Sequence, residues 1–294
     1  MIGAGRRTLR RLGPFLSLLT LVACAGNGTS TVTPAPRATA SPTVRPPQTA
    51  TLAPARTPTP TASAPHVIAP GIEVFEVQAP SGSSELVEVF VVARIDPAKA
   101  TISVRYAPTA TRTVAGWRDD LSADVAANAG YFTPENTAIG LVVANGVVSG
   151  RTLLGYGGLF TVRAGPPQTV ALQWLKEKPY VADRRITQAV ESFPMLVRGG
   201  KVVDGIADDG DRNRRTFLAV DRSGRLLLGV SRFNFLTLRD LAAALAKDPA
   251  MAIDAALNLD GGASSGLALG GAGAALSLDS FVEVPTIIAI KSRP

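Results

Sequence analysis

Histidine and cysteine are almost absent from this chain of 294 residues, and their absence removes several mechanisms at once. The one histidine, His66, borders a Pro/Thr/Ala-rich stretch, so a Ser-His-Asp triad lacks its buried imidazole and a His-rich zinc site lacks its ligands. The one cysteine, Cys24, excludes an intramolecular disulfide and leaves the rest of the chain without a thiolate nucleophile or a Cys-ligated metal. No P-loop or dinucleotide fingerprint occurs, since pairs such as Gly270-Gly271 are not at the required spacing. No cofactor or metal is therefore expected. Chemistry must rest on carboxylates, Arg, Asn, Ser, Thr or Tyr.

Acidic residues are missing from the first 65 positions, which hold seven arginines. Taking those seven from the 30 basic residues leaves the remainder balanced against all 23 acidic ones, so the formal net charge of +7 belongs to the N-terminal segment. A neutral folded part carries no basic footprint for nucleic acid.

Met1 to Ala23 combines a basic start (Arg6, Arg7, Arg10, Arg11) with an apolar run from Phe15, the pattern of a secretory signal. It ends in Leu21-Val22-Ala23-Cys24, which resembles the lipobox of bacterial lipoproteins, with Cys24 as the lipidated residue. From Asn27 to Pro65 the chain is too poor in large apolar residues to build a core. An extended tether of that length reaches on the order of 100 Å. The expected organisation is a lipoprotein signal at 1–23, a lipidated Cys24 and tether at 24–65, and one domain at 66–294, held outside the cytoplasm at a membrane.

Within that domain, Val-rich and alternating runs separated by Gly, Asn and Asp predict many hairpins, among them Ile72–Ala79 with Leu86–Ile95 across Ser81-Gly82-Ser83-Ser84. Asn145-Gly146 marks another. One helix is well signalled: Thr237 and Asp240 form a capping pair ahead of a Leu238, Leu241, Ala242, Leu245 stripe that Pro249 stops. A weaker helical pattern carries Val114, Trp117 and Leu121. The fold class is α+β, a strand-rich mixed sheet with many hairpins and few helices.

The most informative stretch is Asn258-Leu259-Asp260-Gly261-Gly262-Ala263-Ser264-Ser265-Gly266. An apolar strand from Ile253 ends on a carboxylate, and two glycines then permit a sharp turn carrying two hydroxyls. The plain alternative is a hairpin turn whose serines satisfy local backbone groups. A second strand ends similarly at Asn128-Ala129-Gly130-Tyr131-Phe132.

These two segments, with Phe193 to Val203, Arg214 to Ala219 and Leu236 to Leu245, resemble in order the motifs of the phosphodiester glycosidase family, over roughly residues 85–290. The chain departs from the family pattern at Ala129, Ala263 and Gly266, which bears on substrate fit more than on the fold. The resemblance implies hydrolysis of sugar-1-phosphodiesters of the N-acetylglucosamine type. Such a substrate suits a site without histidine, because a departing phosphate monoester, with a second pKa of about 6, depends little on a strong general acid.

In that reading Asp260 acts as base or nucleophile or orients the sugar, and Arg215 pairs with the phosphodiester through its planar fork. Asn128 hydrogen-bonds the sugar or the developing charge. Thr216, Ser264 and Ser265 orient oxygens around the Gly261-Gly262 turn, and Glu191 is a candidate second carboxylate. Each has a plainer competitor: a turn stabiliser for Asn128, a surface charge for Arg215, a solvated strand position for Glu191. Asp208, Asp209 and Asp211 lack the context of an EF-hand and read as a solvated turn rather than a calcium loop. Trp174 and Tyr180 either stack on sugars or pack in the core. The partners expected are a glycan or sugar-phosphodiester substrate and the membrane through Cys24. A non-catalytic glycan-binding lipoprotein is the alternative, and a serine hydrolase using Ser264 is disfavoured by the lack of histidine.

Overall fold

Runs of Val, Ile and Leu become strands almost wherever alternation predicts them in the computed structural model, which describes residues 61–81, 86–153, 155, 157–207 and 210–293. The signal, Cys24, most of the tether, Gly82 to Ser84, Asp208 and Asp209 lie outside the described residues. In chain order come β1 (Thr61–Ala62), β2 (His66–Ala69), β3 (Ile72–Pro80), β4 (Val87–Ile95), β5 (Ala100–Tyr106), helix α1 (Val114–Asp120) and β6 (Val125–Asn128). Five short elements follow: β7 (Val142–Ala144), β8 (Val147–Ser149), β9 (Gly158–Arg163), β10 (Thr169–Trp174) and β11 (Ile186–Ser192). The chain continues through β12 (Met195–Arg198), β13 (Lys201–Val202), β14 (Thr216–Asp221), β15 (Leu226–Ser231), helix α2 (Leu238–Lys247), β16 (Ile253–Asn258), β17 (Leu267–Leu269) and β18 (Thr286–Ser292).

The strand-rich α+β class is as expected, but the single mixed sheet is resolved into three sheets whose described pairings are all antiparallel. The largest runs β1-β3-β4-β15-β14-β16-β12-β13, with β2 also on β3. The others run β10-β9-β11-β7-β8 and β17-β6-β18-β5. Thr61 and Ala62 pair with Gln78 and Val77, so the last residues of the segment read as tether belong to the sheet. Among the described residues no helix is long and apolar enough to cross a membrane.

Alternation explains how the large sheet is buried on both faces. One set of its side chains, including Val74, Val91, Leu218, Leu228 and Leu257, packs against Val104, Val125, Phe160 and Val190 of the smaller sheets. The opposite set, including Phe217, Ala219, Leu227 and Ala256, receives Leu241, Ala242 and Leu245 of α2. Each buried leucine of that stripe contributes about 2 kcal/mol. The expected capping box is present, with Asp240 N–H donating to Thr237 Oγ1 at 3.1 Å and Thr237 N–H to Asp240 Oδ2 at 3.2 Å. Helix α1 is capped likewise by Thr113 and buries Val114 and Trp117. Strand β16, which leads to Asp260, is therefore held by β14 and β12 at its sides and by α2 on one face.

Candidate active site

The ends of β6 and β16 meet, and hydrogen bonds from the asparagine that closes each strand fix the meeting. Asn128 Nδ2 donates to the Asp260 carbonyl at 2.7 Å, while its Oδ1 accepts from Thr216 Oγ1 at 2.8 Å and from Gly266 N–H at 2.9 Å. Asp260 N–H donates to the Ala129 carbonyl at 3.0 Å. Asn258 Nδ2 reaches the Tyr131 hydroxyl at 2.7 Å and the Phe193 carbonyl at 2.9 Å, and the Tyr131 and Phe193 rings stack with centroids 4.5 Å apart. Three segments that are remote in sequence thus close around one turn.

At that turn Asp260 Oδ1 accepts from Gly261 N–H at 2.9 Å. Burial lifts the Asp260 carboxyl above its ordinary value, against hydrogen bonds from the Ser264 hydroxyl and Gly261 that pull it down. Gly262 N–H donates to the Arg214 carbonyl at 2.8 Å, and Gly262 sits at φ +61°, left-handed backbone that a side chain would strain. A short 3-10 turn, Gly262–Ser264, then brings the Ser264 hydroxyl back to Asp260.

Of the sequence candidates, Asp260, Gly261, Gly262 and Ser264 form the lip of the turn, and the others lie behind it. Asn128 is buried and engaged with protein groups on both ends of its amide, so contact with sugar is not what its position offers; it joins the two strand ends. Thr216 is buried with its hydroxyl given to Asn128. Ser265 is fully buried, and its hydroxyl has no partner. Arg215 points inward: its Nη2 donates to the Asp211 carbonyl at 2.6 Å and its Nε to the Leu236 carbonyl at 3.3 Å. Neither the surface-charge reading nor a forward-facing phosphate fork describes it.

Glu191 departs from the solvated-strand expectation most sharply, being only 1% exposed. Its Oε2 accepts from Leu141 N–H and its Oε1 from Leu153 N–H, both at 2.9 Å, and burial raises its carboxyl above the ordinary value. It secures the segment between those residues. Gly130 allows this packing, because a Cβ there would lie 2.5 Å from the Glu191 carbonyl oxygen. The Asp211 carboxylate accepts both its 2.8 Å bonds from Asn213 Nδ2, consistent with a polar turn. Trp174 is half-buried beside a cavity of about 340 Å³ with Pro194 and Met195, and the Lys176 ammonium lies 5.2 Å from its ring centroid. Tyr180 packs on the apolar cluster around Leu159 and Ile186.

What the sequence did not single out is Arg214. Extended backbone turns it to the side opposite Arg215, where it lines a cavity of about 410 Å³ with Asn213, Arg232, Phe233, Asn234, Gly262, Ala263 and Phe281. The wall formed by Phe233 and its neighbours hangs on Glu88, a fully buried carboxylate whose oxygens accept from Phe233 N–H at 2.8 Å and Phe235 N–H at 3.1 Å. A carboxylate inside the Val-rich β4 was the available signal for Glu88. Nothing local signalled Phe281. Among the described residues no group of three or more His, Cys, Asp or Glu stands close enough to hold a metal ion.

The site is thus a half-buried carboxylate on a Gly-Gly turn, beside a cationic and aromatic cavity in an antiparallel β-fold. The phosphodiester glycosidase family matches residues 122–291, more than half of the chain, and the chain belongs to that family. The fold is similar to that of the zebrafish N-acetylglucosamine-1-phosphodiester alpha-N-acetylglucosaminidase catalytic domain auto-inhibited by its pro-peptide. That match has a TM-score of 0.61 at 20% identity, over 81% of this chain and 89% of that one. A hypothetical protein from Synechocystis matches with a TM-score of 0.54 at 17% identity, over 76% of this chain and 62% of that one. No curated sequence matches the chain.

Proposed function

We propose that this protein hydrolyses the glycosidic bond of sugar-1-phosphodiesters, of the N-acetylglucosamine type, in envelope or exopolysaccharide glycans, and that it works outside the cytoplasm on a lipid anchor at Cys24. The observation that carries the reading is the contrast in availability between two carboxylates. Glu191 has both oxygens committed to backbone amides, whereas the Asp260 carboxylate accepts from Gly261 and Ser264 of its own turn and sits at the lip. An ordinary glycosidase needs two working carboxylates, one of them an acid for the leaving oxygen. A site with one suits a leaving group that departs without protonation, and a phosphate monoester is such a group.

In this reaction the C1–O bond to phosphate breaks, a water oxygen bonds C1, and the phosphate monoester leaves with the bonding pair. Asp260 takes the proton of the attacking water or bonds C1 first. The raised pKa serves the first role, because a more basic carboxylate is a better proton acceptor. Incubating the full chain with an N-acetylglucosamine-1-phosphodiester should release the free sugar, and Asp260→Asn should slow the release by a factor of about 10² to 10⁴ while circular dichroism stays native. Saturable glycan binding with no turnover over a panel of sugar-1-phosphodiesters would overturn the reading in favour of a binding lipoprotein. The anchor is tested separately: Cys24→Ala should move the protein from the membrane fraction to the soluble one.

A further inference from the structure

Arg214 is a buried cation without a carboxylate partner among the described residues. It is 9% exposed, its Nη1 makes one long bond of 3.3 Å to the Asp279 carbonyl, and its Nε is buried with no partner. Burial pulls its guanidinium below the ordinary value, while Asp279 and Glu88 act on it only as charges at a distance. The adjacent Arg215 ion-pairs Asp211 at 3.8 Å, and Arg232, across the cavity, ion-pairs Glu76 at 2.8 Å. A desolvated charge left unmatched is costly unless something brings the opposite charge.

The surroundings specify what would. The Arg214 guanidinium lies 4.6 Å from the Phe281 ring centroid, a stacking that holds its plane and leaves its edge to donate. A planar edge with two parallel N–H groups matches two oxygens of a phosphate. Its own carbonyl holds Gly262 N–H at 2.8 Å, so this cation is fastened to the turn that carries Asp260. In a sugar-1-phosphodiester the phosphorus is one oxygen away from the anomeric carbon, so a phosphate subsite must adjoin the turn that carries the carboxylate, and this cavity shares Gly262 and Ala263 with that turn. Beyond Arg214 the cavity opens onto exposed Phe233, Asn234 and Phe281, the last 76% exposed. A flat or partly apolar group esterified to the phosphate would meet those side chains.

We propose that this cavity is the phosphate and aglycone subsite, with Arg214, and not Arg215, binding the phosphodiester and Phe281 holding the guanidinium in plane. This rests on the reaction proposed above for Asp260. Arg214 decides which leaving groups are accepted. Arg215 is a positioning residue that fixes the backbone from which Arg214 projects.

The test uses the full chain, glycerol 1-phosphate as a probe of the subsite, and two substrates: an N-acetylglucosamine-1-phosphodiester and a p-nitrophenyl N-acetylglucosaminide. Glycerol 1-phosphate should bind the wild type in calorimetry and inhibit competitively. Arg214→Gln should lose that binding and raise KM for the phosphodiester by about tenfold to a hundredfold, with a smaller change for the nitrophenyl substrate. Arg214→Lys should recover part of the loss, having the charge without the fork, and Phe281→Leu should reproduce a milder form of it at an exposed position where folding is not at stake. Unchanged probe binding and KM in Arg214→Gln, or no probe binding by the wild type at millimolar concentration, overturns the subsite. If no phosphodiester is turned over yet Arg214-dependent binding of glycerol 1-phosphate is seen, the proposed reaction fails while the subsite stands.

Discussion

Glu191, buried, and Asp260, half-buried, are both carboxylates set against the same short segment, Ala129-Gly130, and they use desolvation in opposite ways. The Glu191 backbone packs on Gly130 and its side chain spends both oxygens on amides of the chain between β7 and β9. Asp260 takes its backbone support from Ala129 and keeps its side chain within a three-residue turn. Burial raises both carboxyls. Desolvation by itself therefore does not mark a group available for chemistry; what separates the two is how much hydrogen-bonding capacity remains for something outside the protein.

The largest effect expected from that contrast is on turnover: Asp260→Asn should reduce phosphodiester hydrolysis by a factor of about 10² to 10⁴ in steady-state assays. Comparable activity in the mutant would place the chemistry elsewhere. Next comes the joint that supports the turn. Asn128→Ala strips partners from the Thr216 hydroxyl, the Gly266 amide and the Asp260 carbonyl, and should cost about 3 kcal/mol in denaturant unfolding. Glu191→Gln replaces one acceptor by a donor facing a backbone amide and should lower stability by about 2 kcal/mol, with hydrolysis by the remaining folded protein reduced far less than in Asp260→Asn.

The smallest effect is the most diagnostic. Because the folded-state value for Asp260 lies above the ordinary 3.8, the native state holds a proton that the unfolded chain has released, and this contribution to stability is lost as pH rises from 3.8 through the folded value. Asn at this position has no such loss. Asp260→Asn should gain stability relative to wild type as pH rises above 3.8 in parallel urea titrations. A relative decline over that range would mean that the ionised carboxylate is held by a cation in the folded protein.

Local rules made most of the fold legible. The Asn145-Gly146 hairpin, the Thr237–Asp240 capping box and the strand leading to Asp260 all depend on neighbours a few residues away, and all three form, the strand closing at Asn258. The partition into three sheets depends on which strands meet at long range, and alternation is silent on that. The same limit explains the misread side chains. Glu191 looked solvated because its partners, Leu141 and Leu153, are 50 and 38 residues distant. Two adjacent arginines could not be told apart until strand direction sent one to Leu236 and the other to Phe281. Gly266, a departure from the family pattern, also gains a local cause: a Cβ there would lie 2.7 Å from Val114 Cγ2 and 2.9 Å from Ser280 N. Helix α1 packs where a larger residue would have to stand.

The two tryptophans divide the molecule optically. Trp117 is buried, with its indole N–H donated to the Val284 carbonyl at 2.8 Å, and belongs to the core under α1. Trp174 is half-buried beside Pro194 and Met195, at the end of β10, the edge strand of the five-stranded sheet. The red side of the emission band should therefore come from Trp174 and respond to a soluble quencher, whereas the blue side should come from an interior that the quencher does not reach. A single-tryptophan variant retaining Trp174 turns this edge of the five-stranded sheet into its own fluorescent reporter, with no label added.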